Sequence, residues 1–264
     1  MEDILRKMND TITKYANVLS QVLKVDIEIL DNKLNRIAGT GRYDGEVNVN
    51  ISNEAFVNKR VIVTGEKQII ENPGQHELCM ACPKRNQCKE IFEMSTPIKI
   101  ENEVIGVIGF VCFTEKQKQH ILNNFIIFDE FLDHISDLIS SKVLETIENE
   151  RNLVIIELFN SIIDKIEEGV LVFDEHYYIS KMNSKAKEIL KMDLDDFKIE
   201  HIELKETGNQ ILNYLEYGLK INDKIYDLAG NYHNINIGDY YKIFIFRDAK
   251  QLKENVLALT AVKG

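Results

Sequence analysis

Several absences narrow the classes of protein that this 264-residue chain can represent. The longest apolar run, Val104 to Phe113, is far shorter than the roughly 20 residues that an α-helix needs to cross a bilayer. The N-terminus, MEDILRKMND, lacks the pattern of a secretory signal peptide. We therefore expect a cytoplasmic protein that does not enter a membrane.

A run of lysine and arginine is also missing. The chain has 32 basic and 43 acidic residues, a formal net charge of -11, and the basic residues are spread along it. Direct binding of nucleic acid by this chain is therefore not expected. The phosphate-binding sequence G-x4-G-K-[ST] is absent, and no nucleophile, base and orienting residue form a convincing catalytic set. We do not expect an enzyme.

The length suits two domains of ordinary size, and an apolar share of 44% allows each to bury a core. In the first half, apolar spacing of three to four predicts a helix from Met1 to about Leu23. Alternating residues predict one hairpin over Val25–Thr40 and a second over Thr96–Phe113. Between them we expect a short helix over Asn53–Arg60 and an extended segment over Val61–Thr64.

A long helical connector is predicted next, because neither glycine nor proline occurs from Phe110 to Glu168. Apolar residues recur at helical spacing throughout this stretch, and we expect an interruption near Asn149. Two interpretations remain open: two ordinary helices that pack on their own domains, or a parallel helix of a homodimer that carries a signal.

The second half mixes strands and short helices. Asn183 is expected to cap a helix. The predicted elements are strands 170–174 and 177–183, helices 184–191 and 210–219, strands 224–230, 232–238 and 239–248, and a helical tail.

Residues 159–250 resemble a PAS domain. The segment Phe159–Asp174 supplies a helix followed by the pattern Glu-Gly, apolar strand, Asp; Asn183 opens the next helix; and Phe246-Arg247-Asp248 fits the closing strand. Residues 1–145 resemble a GAF domain through the leading helix, the first hairpin, a long loop, the strand VIGVIGFVCF and a trailing helix.

The order of these parts resembles the sensory half of bacterial sigma-54-dependent transcriptional activators. The resemblance implies that the output parts, an AAA+ ATPase and a Fis-type DNA-binding helix pair, lie outside this sequence, with the ATPase acting in cis or in trans. We expect an α/β (α+β) fold of two sensory domains, each an antiparallel sheet flanked by helices. The predicted divisions are a GAF-like domain at 1–145, a helical linker at 146–168, a PAS domain at 169–250 and a linker helix at 251–264.

All four cysteines lie between residues 79 and 112, and Cys79, Cys82 and Cys88 form a C-x2-C-x5-C pattern. In a reducing cytoplasm such clusters more often bind metal than form disulfides. We expect a metal centre on Cys79, Cys82, Cys88 and Cys112, although Cys112 lies in an apolar strand and His76 is an alternative fourth ligand. Redox-active or unliganded thiols are a further alternative.

The spacing resembles that of the fumarate and nitrate reduction regulator family, which implies an oxygen-labile [4Fe-4S] cluster and redox sensing. Zinc makes the same demand for four thiolates and remains the alternative. A small-molecule effector could instead bind a GAF-like pocket, where Arg42, Arg60 and Lys67 are candidates to meet a carboxylate.

Overall fold

The computed structural model describes residues 3–192, 202–222 and 224–261, with the side chains of residues 236 and 260 excepted. The chain forms two compact units, Met1–Glu150 and Arg151–Gly264, which we call the N-terminal and C-terminal units. Each contains an antiparallel sheet with helices, so the predicted fold class is confirmed. None of the helices in the described residues is long and apolar enough to span a membrane.

The N-terminal unit is built on a five-stranded sheet with the order β2-β1-β5-β4-β3. Both predicted hairpins are present in it, as β1–β2 and β4–β5. Its strands are β1 (Asp26–Asp31), β2 (Arg36–Gly39), β3 (Gln68–Glu71), β4 (Phe92–Ile100) and β5 (Glu103–Cys112). Its helices are α1 (Ile4–Lys7), α2 (Asn9–Leu23), α3 (Phe56–Thr64), α4 (Glu115–Asn123) and α5 (Phe125–Ile163), the last of which continues into the C-terminal unit.

The two faces of this sheet have different chemistry, because successive strand residues point to opposite faces. One face is apolar: Ile27 and Ile29 of β1 join a core with residues of α2 and α5. The other face carries Glu28 between them, and on β4 it carries Glu93 and Ser95. Both acidic side chains are buried, so the segments between β2 and β4 cover this second face.

The helical connector differs from the prediction at two points. Helix α5 is continuous over 39 residues and passes Asn149 without a break. The interruption lies instead at Asn124, between α4 and α5, where the Asn124 side-chain amide donates to the carbonyl oxygen of His120. A capping box of Thr114 and Gln117 fixes the start of α4.

The C-terminal unit has a six-stranded sheet with the order β7-β6-β11-β10-β9-β8. Its core is rich in aromatic side chains, including Phe173, Tyr217, Phe244 and Phe246. The elements are β6 (Gly169–Asp174), β7 (Ile179–Met182), α6 (Ser184–Leu190), β8 (Ile202–Ile211), β9 (Tyr214–Ile221), β10 (Lys224–Ile237), β11 (Tyr240–Asp248) and α7 (Ala249–Ala261).

Three local predictions were wrong. The segment 210–219 is not helical: it forms the hairpin of β8 and β9, which turns at Leu212 with a positive φ of 53°. The two strands expected at 224–230 and 232–238 are one strand, β10, because Asn231 continues the ladder opposite Ile245 instead of turning. The segment Val61–Thr64 is the last turn of α3 and not extended.

Asn183 is a junction of the C-terminal unit, and its predicted capping role is confirmed. Its side-chain oxygen accepts hydrogen bonds from the backbone N–H groups of Ala186, at 2.9 Å, and Val170, at 2.8 Å. Its amide nitrogen donates to the carbonyl oxygens of Ile163 and Glu168, each at 3.0 Å. One buried side chain thus ties the end of α5, the start of β6 and the start of α6 together.

Candidate functional site

A cavity of about 400 Å³ lies on the polar face of the N-terminal sheet, opposite the face that packs on α2 and α5. Strands β1, β2 and β4 contribute its floor, whereas α3 and the loop between β3 and β4 contribute its walls. Its volume falls within the range of small-molecule sites. Cys79, Cys82 and Cys88 all line it.

The cysteine loop consists of short 3-10 turns, and the C-x2-C segment is one such turn. The backbone N–H of Cys82 donates to the carbonyl oxygen of Cys79 at 3.0 Å. Cys79 is buried against Val57 and Ile70, and Cys88 is exposed. Gly74 allows Cys88 to approach, because a Cβ at position 74 would stand 2.9 Å from the Cys88 Cβ. The loop therefore brings three of the four predicted ligands to one cavity.

Cys112 is not brought to that cavity. It lies on β5 opposite Phe92, is fully buried in the apolar core, and therefore points to the other face of the sheet. The expectation that Cys112 completes the metal centre is corrected on this ground: the strand alternation directs its thiol away from the loop. Burial, as well as the negative charge of Asp26, raises the Cys112 pKa to about 12, which also disfavours a thiolate there.

The alternative fourth ligand, His76, has a local role. Its Nδ1 accepts a hydrogen bond from the backbone N–H of Leu78 and so caps a 3-10 turn. Among the residues that the structure describes, no group of three or more histidine, cysteine or acidic side chains is gathered closely enough to hold a metal ion. A metal on the cysteine loop would require the loop to tighten around it.

Two thiols of the cysteine loop, those of Cys79 and Cys88, have raised pKa values in this arrangement. Burial is the main cause that raises the pKa of Cys79, to about 11, and nearby carboxylates and thiols add to it. Burial and Glu90 likewise raise the pKa of Cys88. Because the thiolate is the nucleophile and the metal ligand, a raised pKa lowers the reactivity of Cys79 and Cys88.

The floor of the cavity carries a buried ion pair that the sequence analysis missed. The Arg36 Nε donates to Glu28 Oε1 at 2.8 Å, and its Nη1 lies 2.6 Å from Glu46 Oε2 at the more exposed side. The guanidinium also stacks 4.6 Å from the centre of the Tyr43 ring. Tyr43 in turn donates to Glu90 Oε1 at 2.7 Å. Residues distant in sequence thus form one polar network.

Glu93 lies deep in the cavity and is 4% exposed. Its Oε1 accepts a hydrogen bond from the Ser95 hydroxyl at 2.8 Å. Burial raises its pKa well above the ordinary range, and the charges of Glu90 and Glu28 raise it further. Burial also raises the pKa of Glu28 to about 7, although Arg36 opposes the shift. The floor therefore favours protonated carboxyls or a ligand that donates hydrogen bonds to them.

Of the three basic candidates, one reaches the cavity. Arg42 lines it and lies over the Phe113 ring, at 4.8 Å from its centre. Arg60 is exposed on α3. Lys67 binds the first turns of α5 instead, with its Nζ 2.5 Å from Asp129 Oδ1 and 2.7 Å from Asp133 Oδ2. Lys67 thus joins the segment after α3 to the long helix at the edge of the sheet.

No protein-family model matches the chain. Over 237 residues the chain is 27% identical to the Escherichia coli (strain K12) protein named as a uric acid sigma-54-dependent transcriptional regulator, UacR; the match covers 89% of this chain and 40% of that protein. The predicted resemblance to the sensory region of such regulators is thereby confirmed. The chain spans less than half the length of this relative.

Among solved structures, the chain is similar to a chain of the E. coli DhaR(N)–DhaL complex, with a TM-score of 0.60 and 11% identity. The match covers 93% of this chain and 87% of that one. At this identity the likeness concerns the fold, and the matched 93% of the chain includes parts of both units.

Proposed function

We propose that this chain is the signal-sensing region of a cytoplasmic sigma-54-dependent regulator, and that it controls an AAA+ ATPase in cis or in trans without catalysing a reaction itself. The similarity to UacR over 89% of the chain is the observation that carries this proposal. The net charge of -11 supports a role that leaves DNA binding to another part of the regulator.

The signal would travel through α5 in a homodimer. Helix α5 runs from the core of the N-terminal unit into the C-terminal unit without a break. Its second half exposes a series of large apolar side chains, which a second copy of the helix would cover. They are Leu153, Val154, Ile155, Ile156, Leu158, Phe159, Ile162 and Ile163.

The signal itself is proposed to be redox state, sensed by a metal on the cysteine loop. Cys79, Cys82 and Cys88 would hold an iron–sulfur cluster, [4Fe-4S] in the first instance, with zinc as the alternative. The shared cavity supports this proposal.

Metal analysis of the full chain, purified without oxygen, tests this proposal. Iron and sulfide with a broad absorption band that bleaches in air would support the cluster, and colourless stoichiometric zinc would support the alternative. Cys82→Ser should abolish metal binding, whereas Cys112→Ser should retain it because that thiol faces the core. Absence of bound metal in the wild-type chain, or equal loss in both variants, would refute the assignment.

A second candidate function is binding of a small metabolite in the same cavity. The buried Glu28–Arg36 pair and the deep carboxyl of Glu93 favour it, because such groups orient a ligand. UacR is named for uric acid, so uric acid is the first compound to test, by calorimetric titration of the full chain. Saturable binding at one site per chain supports this function, and no heat at millimolar uric acid opposes it.

A further inference from the structure

The carboxyl of Glu93 has an oxygen that is available to a ligand. Ser95 donates to Oε1, and no donor to Oε2 is found within residues 3–192, 202–222 and 224–261. In the same part of the chain, every fully buried side-chain nitrogen or oxygen has a hydrogen-bond partner. Oε2 therefore keeps contact with the cavity that Glu93 lines. A carboxyl buried to this extent, with one oxygen toward a cavity, calls for a donor from outside the protein.

A gap separates Glu93 from the second carboxyl of the floor. Gly109 of β5 pairs with Glu28 of β1 on one side and with Ser95 of β4 on the other. Residues directly opposite in neighbouring strands share a face of the sheet. Glu28 and Ser95 are therefore two strand spacings apart, about 10 Å, and the residue between them adds no side chain. The Ser95 hydroxyl leans toward this glycine, since a Cβ at position 109 would stand 2.8 Å from it, so a flat ring would reach the two carboxyls from the cavity that Glu28 and Glu93 line.

The third feature of the floor is the guanidinium of Arg36, which is buried and contacts Glu28. It supplies N–H donors beside the carboxyl acceptors. A ligand that matches this pattern must present donors and acceptors next to each other. A lactam, in which a ring N–H adjoins a ring carbonyl, has this arrangement.

We propose that the cavity recognises a small ring compound with lactam groups, whose N–H donors bind Glu93 and Glu28 and whose carbonyl oxygen binds Arg36. This proposal rests on the metabolite-binding function and names its ligand class. An ammonium ion is disfavoured because Arg36 occupies the floor with its own positive charge.

Calorimetric titration of the full chain with xanthine and with caffeine tests the proposal. Caffeine has the ring system of xanthine with its N–H groups replaced by N-methyl groups, so it lacks the donors and carries three methyl groups in their place. Xanthine is expected to bind at one site per chain, and caffeine is expected to bind at least tenfold more weakly, since each lost hydrogen bond leaves a buried carboxyl without its donor. Equal affinities, or no binding of xanthine, would overturn the proposal.

A charge-neutral variant identifies the carboxyl. Glu93→Gln keeps the shape of the side chain and is expected to fold, because burial already disfavours the charged carboxylate. Its affinity for xanthine should fall at least tenfold. Glu103→Gln, at the exposed start of β5, is the matched control and should bind as the wild type does. Thermal melting of both variants verifies that each is folded.

The outcomes separate this proposal from the function on which it rests. If another metabolite binds in the cavity but neither N-methylation nor Glu93→Gln changes its affinity, metabolite binding stands and the carboxyl assignment falls. If Glu93→Gln and Glu103→Gln weaken xanthine binding equally, the effect is not specific to the cavity and the assignment also falls. The metal content of the same samples decides the redox proposal independently.

Discussion

Replacement of Asn183 by alanine should destabilise the C-terminal unit more than most single substitutions. The side chain makes four hydrogen bonds and is buried. Loss of the helix cap at Ala186 costs about 1 kcal/mol. The Val170 N–H and the two carbonyl groups then lose their partners, and leaving buried backbone groups unsatisfied adds about 1–3 kcal/mol each.

Because water can reach some of these groups after the change, we expect a total loss of about 3–5 kcal/mol. That is a large part of the roughly 5–15 kcal/mol by which a domain is stable. The free energy of unfolding of Asn183→Asp should lie between those of the wild type and Asn183→Ala. The aspartate oxygen still accepts from the N–H groups of Val170 and Ala186, but the side chain cannot donate to the carbonyl oxygens of Ile163 and Glu168.

Hydrogen exchange measured by mass spectrometry on the full chain resolves this effect, because it reports the two units separately. Peptides that contain Val170 and Ala186 should lose protection, and those of the N-terminal sheet should not. Asn160→Ala is the control, since Asn160 is an exposed asparagine on α5. If Asn183→Ala lowered the free energy of unfolding by less than about 1 kcal/mol, the conclusion that this side chain stabilises the junction of α5, β6 and α6 would be refuted.

Three further predictions concern other parts of the chain. Burial raises the pKa of Glu28 from 4.5 to about 7, so between these pH values the native state keeps a proton that the unfolded state has lost. The free energy of unfolding of the N-terminal unit should therefore fall by up to about 3 kcal/mol between pH 4.5 and 7. In thermal melting, the decrease of the melting temperature with pH should be shallower for Glu28→Gln than for the wild type, and parallel decreases would contradict this prediction. Iodoacetamide at pH 8 should label the exposed Cys88 long before the buried Cys112, and mass spectrometry showing equal rates would contradict the core position of Cys112. Phe159→Glu, in the exposed apolar half of α5, should convert a dimer to a monomer, as measured by light scattering. Glu157→Lys on the same helix should remain a dimer. An unchanged molecular mass in Phe159→Glu would contradict the helical dimer interface.

The elements that the sequence predicted well are those with a clear period. The alternation of Val25–Thr40 and the glycine-punctuated run of β5 specify strands, because each places its apolar residues toward a core. The segment 210–219 misled the prediction because its apolar residues also fit a helical spacing. The turn at Leu212 uses a positive φ that glycine or asparagine usually supplies, so the leucine at this position does not signal a hairpin.

The cavity was only half predictable. The C-x2-C-x5-C pattern is local and marks Cys79, Cys82 and Cys88 directly. Glu28 and Glu93, in contrast, occupy strand positions that normally face water, and their burial depends on a loop folding over the sheet. Cys112 could not be assigned from spacing either, because the parity of its position on β5 relative to the loop is a tertiary property.

The contact of Lys67 with α5 has a mechanical consequence. The cavity and α5 lie on opposite faces of the sheet, so a molecule in the cavity does not touch the helix. Lys67 lies three residues after the end of α3 and binds Asp129 and Asp133 of α5 at the edge of the sheet. The first residues of α3 line the cavity. From Asp133 the helix continues for 30 residues to Ile163, a length of about 45 Å. A tilt of α5 by about 5° about its contact with Lys67 would displace the last turn of the helix by about 4 Å. A small movement of the residues around the cavity would therefore become a larger displacement at the C-terminal end of α5.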